Sequence, residues 1–170
     1  MRVMVTAASK HGSTSAIAQA IGAALTFHEI DADVWSIEAV ESLDGYDAVV
    51  LGSAVYMGHW LDPAKRFIDH HAAELKQRPV WLFSSGPLGE PAKPETPPTD
   101  AATMVEATGA REHVVFAGSL DKHRLGLGER AIVAAVKAPE GDYRPWDEID
   151  AWAGRIAAAL AAPAEIVVPA

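Results

Sequence analysis

Ser9, Lys10, His11, Gly12, Ser13 and Thr14 place three hydroxyls, two basic side chains and a glycine in six consecutive positions. That set suits an anion. Each hydroxyl can donate to a phosphate oxygen, and a glycine lets the backbone approach with no side chain in the way. Immediately before the stretch, Arg2 to Ala8 reads as a strand buried on both faces. Immediately after it, Ile17, Ala20, Ile21, Ala24 and Leu25 recur at helical spacing through Ser13 to Phe27. At such a helix start the free amides point outward, and the macrodipole adds about half a positive charge. Helix capping alone uses the same residue types, so phosphate binding and plain capping both remain open for this turn. Lys10 and His11 either add charge to the site or stand as solvated loop residues. A Walker A loop is excluded, because no lysine separates Gly12 from Ser13-Thr14, and no GxGxxG opens the helix.

Stepping outward, strand and helix signals alternate along most of the chain, the pattern of an α/β fold with a parallel sheet covered on both faces. Asp33 to Ile37 is a short second strand whose polar content suits an edge, and Val40 to Leu43 reads as one helical turn. Tyr46 to Leu51 is a central strand ending at Gly52-Ser53. Asp62-Pro63 starts a helix that runs to about Gln77 and presents Ala64, Phe67, Ile68, His71 and Leu75 on one face. Val80 to Ser84 is a fourth strand. Pro87, Pro91, Pro94, Pro97 and Pro98 then require an irregular surface loop. Thr99 or Asp100 caps a helix that stops at Gly109, and His113 to Ala117 is a fifth strand. Residues 119–146 exceed a minimal five-strand unit and contain a short helix from about Glu129 to Lys137. Asp147 caps the last helix, with Ile149, Trp152, Ile156, Ala159 and Leu160 as its apolar stripe.

In an open parallel sheet of order 2-1-3-4-5, ligands sit beyond the carboxyl ends of the strands, between strands one and three. That rule selects Ser9 to Thr14, Gly52 to Trp60 and Ser84 to Gly89. A planar ring can lie between the second and third loops while its phosphate reaches the first. Tyr56 or Trp60 either covers a face of that ring or packs at the core edge.

At 170 residues the chain fits one domain, residues 1–170. It has no cysteine, which removes disulfides, thiol catalysis and thiolate metal sites and is compatible with a cytoplasmic location. The chain opens directly in a strand, so no secretory leader is expected, and no apolar run approaches the length of a membrane span. A formal net charge of −9 argues against a nucleic-acid surface. Since no arginine lies in or beside the Ser9 to Thr14 turn, amides and hydroxyls must carry most of an anion. His70 and His71 make no metal pair, because neighbours on a helix point about 100° apart. His59 and His123 are proton-transfer candidates by loop position.

At these residues the chain resembles the flavodoxin-like family of FMN-binding proteins. Over nearly its whole length it is similar to the bacterial menaquinone-dependent protoporphyrinogen oxidases and related flavodoxin-domain proteins. The features that carry this are VMVTAASKHGST, GSAVYMGHW, VVFAGSLDKHRLGLGERAIVAAVKAPEG and YRPWDEIDAWAGRIA. The resemblance implies a flavodoxin-like, doubly wound, five-stranded parallel sheet with an insertion after strand five. It also implies FMN, held through its phosphate by Ser9 to Thr14, with Ala54, Val55, Tyr56, Met57 and Gly58 and then Ser85, Gly86, Pro87, Leu88 and Gly89 around the isoalloxazine. The family's insertion is basic and aromatic and is thought to meet the membrane. Here Glu129 to Lys137 is alanine-rich with few charges, so a lid or edge cover is expected rather than an interfacial helix. The expected activity is an FMN-dependent oxidoreductase passing electrons to a quinone-like or other planar acceptor. A one-electron carrier docking to redox proteins, and a flavin-free binding module, are the alternatives. A homodimer is compatible with the sequence.

Overall fold

Arg2–Ala8 forms β1, and its alternation defines the two sides of the molecule. Val3, Val5 and Ala7 enter one apolar cluster, Met4 and Ala8 the other. The same period of two recurs in β3, where Ala48 and Val50 face one way and Val49 and Leu51 the other, and in β5, where Trp81 and Phe83 oppose Val80 and Leu82. A computed structural model describes residues 1–86, 97–135 and 140–162.

In chain order the elements are β1, α1 (Ser13–Phe27), β2 (Asp31–Ser36), β3 (Ala48–Tyr56), β4 (His59–Trp60), α2 (Asp62–Leu75) and β5 (Val80–Ser85). There follow α3 (Ala101–Thr108), β6 (Glu112–Phe116), β7 (Ser119–Leu120), α4 (Leu127–Ala135), β8 (Gly141–Asp142) and α5 (Trp146–Ala161). The sheet order is β2-β1-β3-β5-β6, with all of these pairs parallel. This is the expected doubly wound order once the hairpin strand β4 is set aside. Helices α1 and α5 cover one face and α2 and α3 the other. The first face holds a ring cluster of Phe83, Phe116 and Trp152 with centroids 5.7–6.3 Å apart. Among the described residues no helix is long and apolar enough to cross a membrane.

Several local expectations are corrected. The central strand does not end at Gly52-Ser53 but runs on to Tyr56. Gly52 pairs with Phe83, and a Cβ there would stand 2.1 Å from the Phe83 ring, so this glycine gives room for a core aromatic. The Ser53 hydroxyl bonds the Ala54 carbonyl and accepts the Leu61 amide, which fixes the strand extension against β4. Val40 to Leu43 is not helical. The single turn lies earlier, a 3-10 turn at Ile37–Ala39, and Val40 is extended. Helix α2 ends at Leu75 rather than Gln77, and Leu61, not Asp62, occupies its cap position. Asp147 lies inside the first turn of α5 without capping it, and Ala159 is exposed while Ala153 and Ala157 complete the buried stripe. Residues 119–146 hold an antiparallel pair of their own, β7 with β8, ahead of α5, which the sequence does not announce.

Candidate functional site

The parallel order brings the carboxyl ends of β1, β3 and β5 side by side, with Ala8 paired to Ser53 and Ala54 to Ser85. Ser9 to Thr14, the Tyr56 hairpin and the Ser85-Gly86 segment therefore leave the sheet at adjacent points. Pro87, Leu88 and Gly89 lie outside the described residues.

Gly12 takes φ +86° at the cap position of α1, in the left-handed region that favours glycine. Its amide donates to the Ser9 hydroxyl at 3.1 Å, which closes the turn. Among the described residues no side chain caps the helix, which leaves the first-turn amides of Ser13, Thr14 and Ser15 without a side-chain cap. Thr14, in the first turn, is only 1% exposed. Uncapped amides at the start of a helix, behind a glycine turn, are the chemistry of an anion site. The Ser13 hydroxyl accepts the Ser119 amide at 3.0 Å and still has its own proton to donate.

Across from this turn, β3 and β4 form a tight hairpin with Tyr56 opposite His59. Its two tip residues, Met57 and Gly58, both have positive φ, 50° and 82°, as in a type I′ turn. Methionine is an uncommon occupant of that conformation, and here its side chain is 90% exposed. Tyr56, 39% exposed, has its ring 5.6 Å from the Lys10 ammonium. Partial burial, with the Glu129 carboxylate nearby, raises the Tyr56 phenol above its ordinary pKa, and Lys10 offsets part of this. Trp60 does not face the cleft. It is 2% exposed, and its indole N–H donates to the Ser84 hydroxyl at 2.7 Å, with His113 Nε2 a further 2.8 Å from that oxygen. Burial lowers the pKa of His113, in keeping with a neutral ring that accepts the Ser84 proton. The packing alternative thus holds for Trp60, and Tyr56 is the aromatic left at the cleft. Asp100 occupies the cap position of α3, but its side chain makes no cap bond; it accepts the Trp60 backbone amide and pairs with Lys65 at 3.4 Å.

At the third segment Ser85 is buried, and the Gly86 amide donates to the Phe116 carbonyl at 3.1 Å. Ala54 is buried and Val55 half-buried beneath the hairpin. His59 stands 3.5 Å from Asp100, and His123 is exposed on the insertion. Near His123, Asp121 and Glu140 bring ligand atoms within 4.8 Å, an exposed group of a kind common without any ion.

Two residues absent from the sequence reading of the site come from the insertion. Arg124 Nη1 donates to the His11 carbonyl at 3.1 Å and lies 3.3 Å from where a Gly12 side chain would begin. The turn therefore does have an arginine beside it, delivered by tertiary structure. Glu129 sets one carboxylate oxygen 2.5 Å from Lys10 Nζ and 3.0 Å from His11 Nε2, while the other accepts the Gly126 amide at 2.9 Å. Lys10 first, then the Gly126 amide and His11, hold the Glu129 carboxyl at about 2, well below the usual carboxylate range. The only local signal was Glu129 three residues after Gly126, a carboxylate placed to reach back to a helix-start amide. Its long-range partners left no trace in spacing.

The profile of the flavodoxin domain matches residues 4–145. The chain is 23% identical to the protoporphyrinogen IX dehydrogenase [quinone] of Escherichia coli strain K12, over 92% of this chain and 95% of that protein. Among solved structures, a flavodoxin from the domain Archaea superposes with a TM-score of 0.55 at 25% identity, covering 81% of this chain and 98% of its own. The Streptococcus pneumonia TIGR4 flavodoxin gives 0.63 at 18% identity, covering 94% and 99%.

Proposed function

The chain belongs to the flavodoxin-domain family, and from that premise we propose that it is an FMN-dependent oxidoreductase, passing electrons between a reductant and a quinone-like or other planar acceptor. The observation that carries the reading is the start of α1, which no side chain caps, behind the left-handed Gly12 turn at the carboxyl end of β1. The flavin, when bound, supplies the redox chemistry. The protein supplies the rest. Ser9, Ser13 and Thr14 donate hydroxyl protons to the phosphate, and the amides of the first turn of α1 add to them. Tyr56 offers its ring as one wall beside the heterocycle, Ala54 and Val55 form the floor of the hairpin, and Gly86 lets backbone approach from the third segment.

The quinone-like acceptor is favoured by the similarity to a quinone-dependent dehydrogenase along nearly the full chain. An electron carrier is the second reading. It is favoured by the net charge of −9, which suits weak, salt-sensitive docking to a basic redox partner. A visible absorption spectrum of the purified protein, followed by FMN titration of the apoprotein, tests the cofactor. A yellow protein, or one that takes up added FMN stoichiometrically, is the expected result. Rapid turnover with a soluble quinone then selects the oxidoreductase, whereas slow turnover with every small acceptor and fast exchange with a reductase selects the carrier. A colourless protein that ignores FMN removes both readings and leaves the flavin-free module.

A further inference from the structure

Glu129 reaches the anion-binding turn from 118 positions away in the chain, and Arg124 from 113. Through Glu129, the free protein already holds a carboxylate on both basic side chains of the turn, Lys10 at 2.5 Å and His11 at 3.0 Å. Next to them stand the first-turn amides of α1, which no side chain caps. A protein carboxylate has therefore taken the basic side chains of the turn, while the amides of the helix start stay uncapped.

We propose, resting on the assignment of FMN phosphate to this turn, that Glu129 is an internal competitor for the phosphate and sets the discrimination between phosphorylated and unphosphorylated flavin. A phosphate arriving at the amides carries nearly two negative charges within a few ångströms of the Glu129 carboxylate, well inside the screening length of physiological salt. Lys10 and His11 exchange one anion for the other, so part of the attraction gained is lost with the old pair. Arg124 stays, bonded to the His11 carbonyl on the rim of the turn, as the cation that Glu129 does not occupy. Its nearest carboxylate is Asp121, 3.5 Å from Nε, which leaves Nη1 facing Gly12. A flavin without phosphate meets none of this.

Glu129→Gln is the suitable variant, because a glutamine can still accept the Gly126 amide and keep the start of α4. Flavin fluorescence titration of wild-type and variant apoprotein gives dissociation constants for FMN and riboflavin, and calorimetry with inorganic phosphate reads the turn alone. Thermal unfolding checks that the variant is folded. FMN and phosphate are expected to bind about three- to tenfold more tightly to the variant, the range of an exposed ion pair released together with its repulsion. Riboflavin affinity should not move. Unchanged or weakened FMN binding overturns the role given to Glu129 while leaving the cofactor assignment standing. Equal tightening of FMN and riboflavin also overturns it, since the effect would then lie in access and not in the phosphate. If neither protein binds FMN or phosphate at all, the cofactor assignment falls and this inference with it.

Discussion

The turn at Ser9 to Thr14 and the insertion that reaches over it are built in opposite ways. The turn is bounded by β1 and α1, both buried in the larger apolar cluster, and its shape follows from local residues: Gly12 at positive φ and the Ser9 hydroxyl on the Gly12 amide. The insertion meets the same place through two charged side chains, Arg124 in the turn before α4 and Glu129 in α4, whose partners are more than a hundred positions distant. The difference separates two kinds of site residue. One kind is prepared by neighbours in sequence and buried with the core; the other is brought by a surface segment and acts by charge. Changes in the first should cost binding or stability strongly, and changes in the second should tune binding while leaving the fold alone.

Thr14→Ala is the hardest blow to the prepared half. Loss of a hydrogen bond to a charged group should weaken FMN by about 1.5–3 kcal/mol, or about one to two decades in dissociation constant by fluorescence titration. Unchanged affinity would remove Thr14 from the phosphate shell and erase the contrast. Gly52→Ala attacks the support of the neighbouring wall. A methyl group 2.1 Å from the Phe83 ring, itself packed against Phe116 and Trp152, overpacks the core and should lower unfolding stability by about 1–3 kcal/mol in denaturant titration. On the side of the insertion, Arg124→Gln should weaken FMN by no more than about 1 kcal/mol and leave the unfolding midpoint nearly unchanged, as for exposed charges generally. A loss as large as that of Thr14→Ala would place Arg124 among the prepared residues.

The smallest effect is a pH dependence. Glu129 has its carboxyl held at about 2 in the folded chain, against an ordinary value near 4.5. A carboxylate depressed in this way contributes stability above the unfolded value, and the contribution fades as pH falls through the folded one. The contact of α4 with the turn should thus hold at neutral pH and loosen between about pH 4.5 and about pH 2. Amide hydrogen exchange at Lys10 to Gly12, compared between wild type and Glu129→Gln, reads this directly, and identical profiles would show that the contact contributes nothing.

What could be read from the sequence follows the same division. β1, α1 and the buried face of α2 were legible because periodicity and composition act over a few residues. The end of β3 was misread because Gly52-Ser53 looks like a turn signal. In place, Gly52 accommodates Phe83 from the next strand, and Ser53 satisfies the hairpin, so tertiary packing overrides the local cue. Trp60 was ambiguous for a similar reason, since only the Ser84 hydroxyl and the α2 face of the core decide which way its ring turns. The half of the site that depends on charge was out of reach. Nothing in DKHRLGLGER announces that Arg124 will meet the His11 carbonyl or that Glu129 will bridge Lys10 and His11, because those partners are chosen by where the chain folds back.

The short pairing of β7 with β8 has an evolutionary reading. Ser119 stands opposite Asp142 and Leu120 opposite Gly141, so the chain departs after β6 and returns ahead of α5 at one clasp. Whatever hangs between those points can lengthen, shrink or change its chemistry while the five parallel strands go undisturbed, because the clasp already fixes both stems. The segment behaves as a cassette, through which a common scaffold can be fitted with a new gatekeeper without being redesigned.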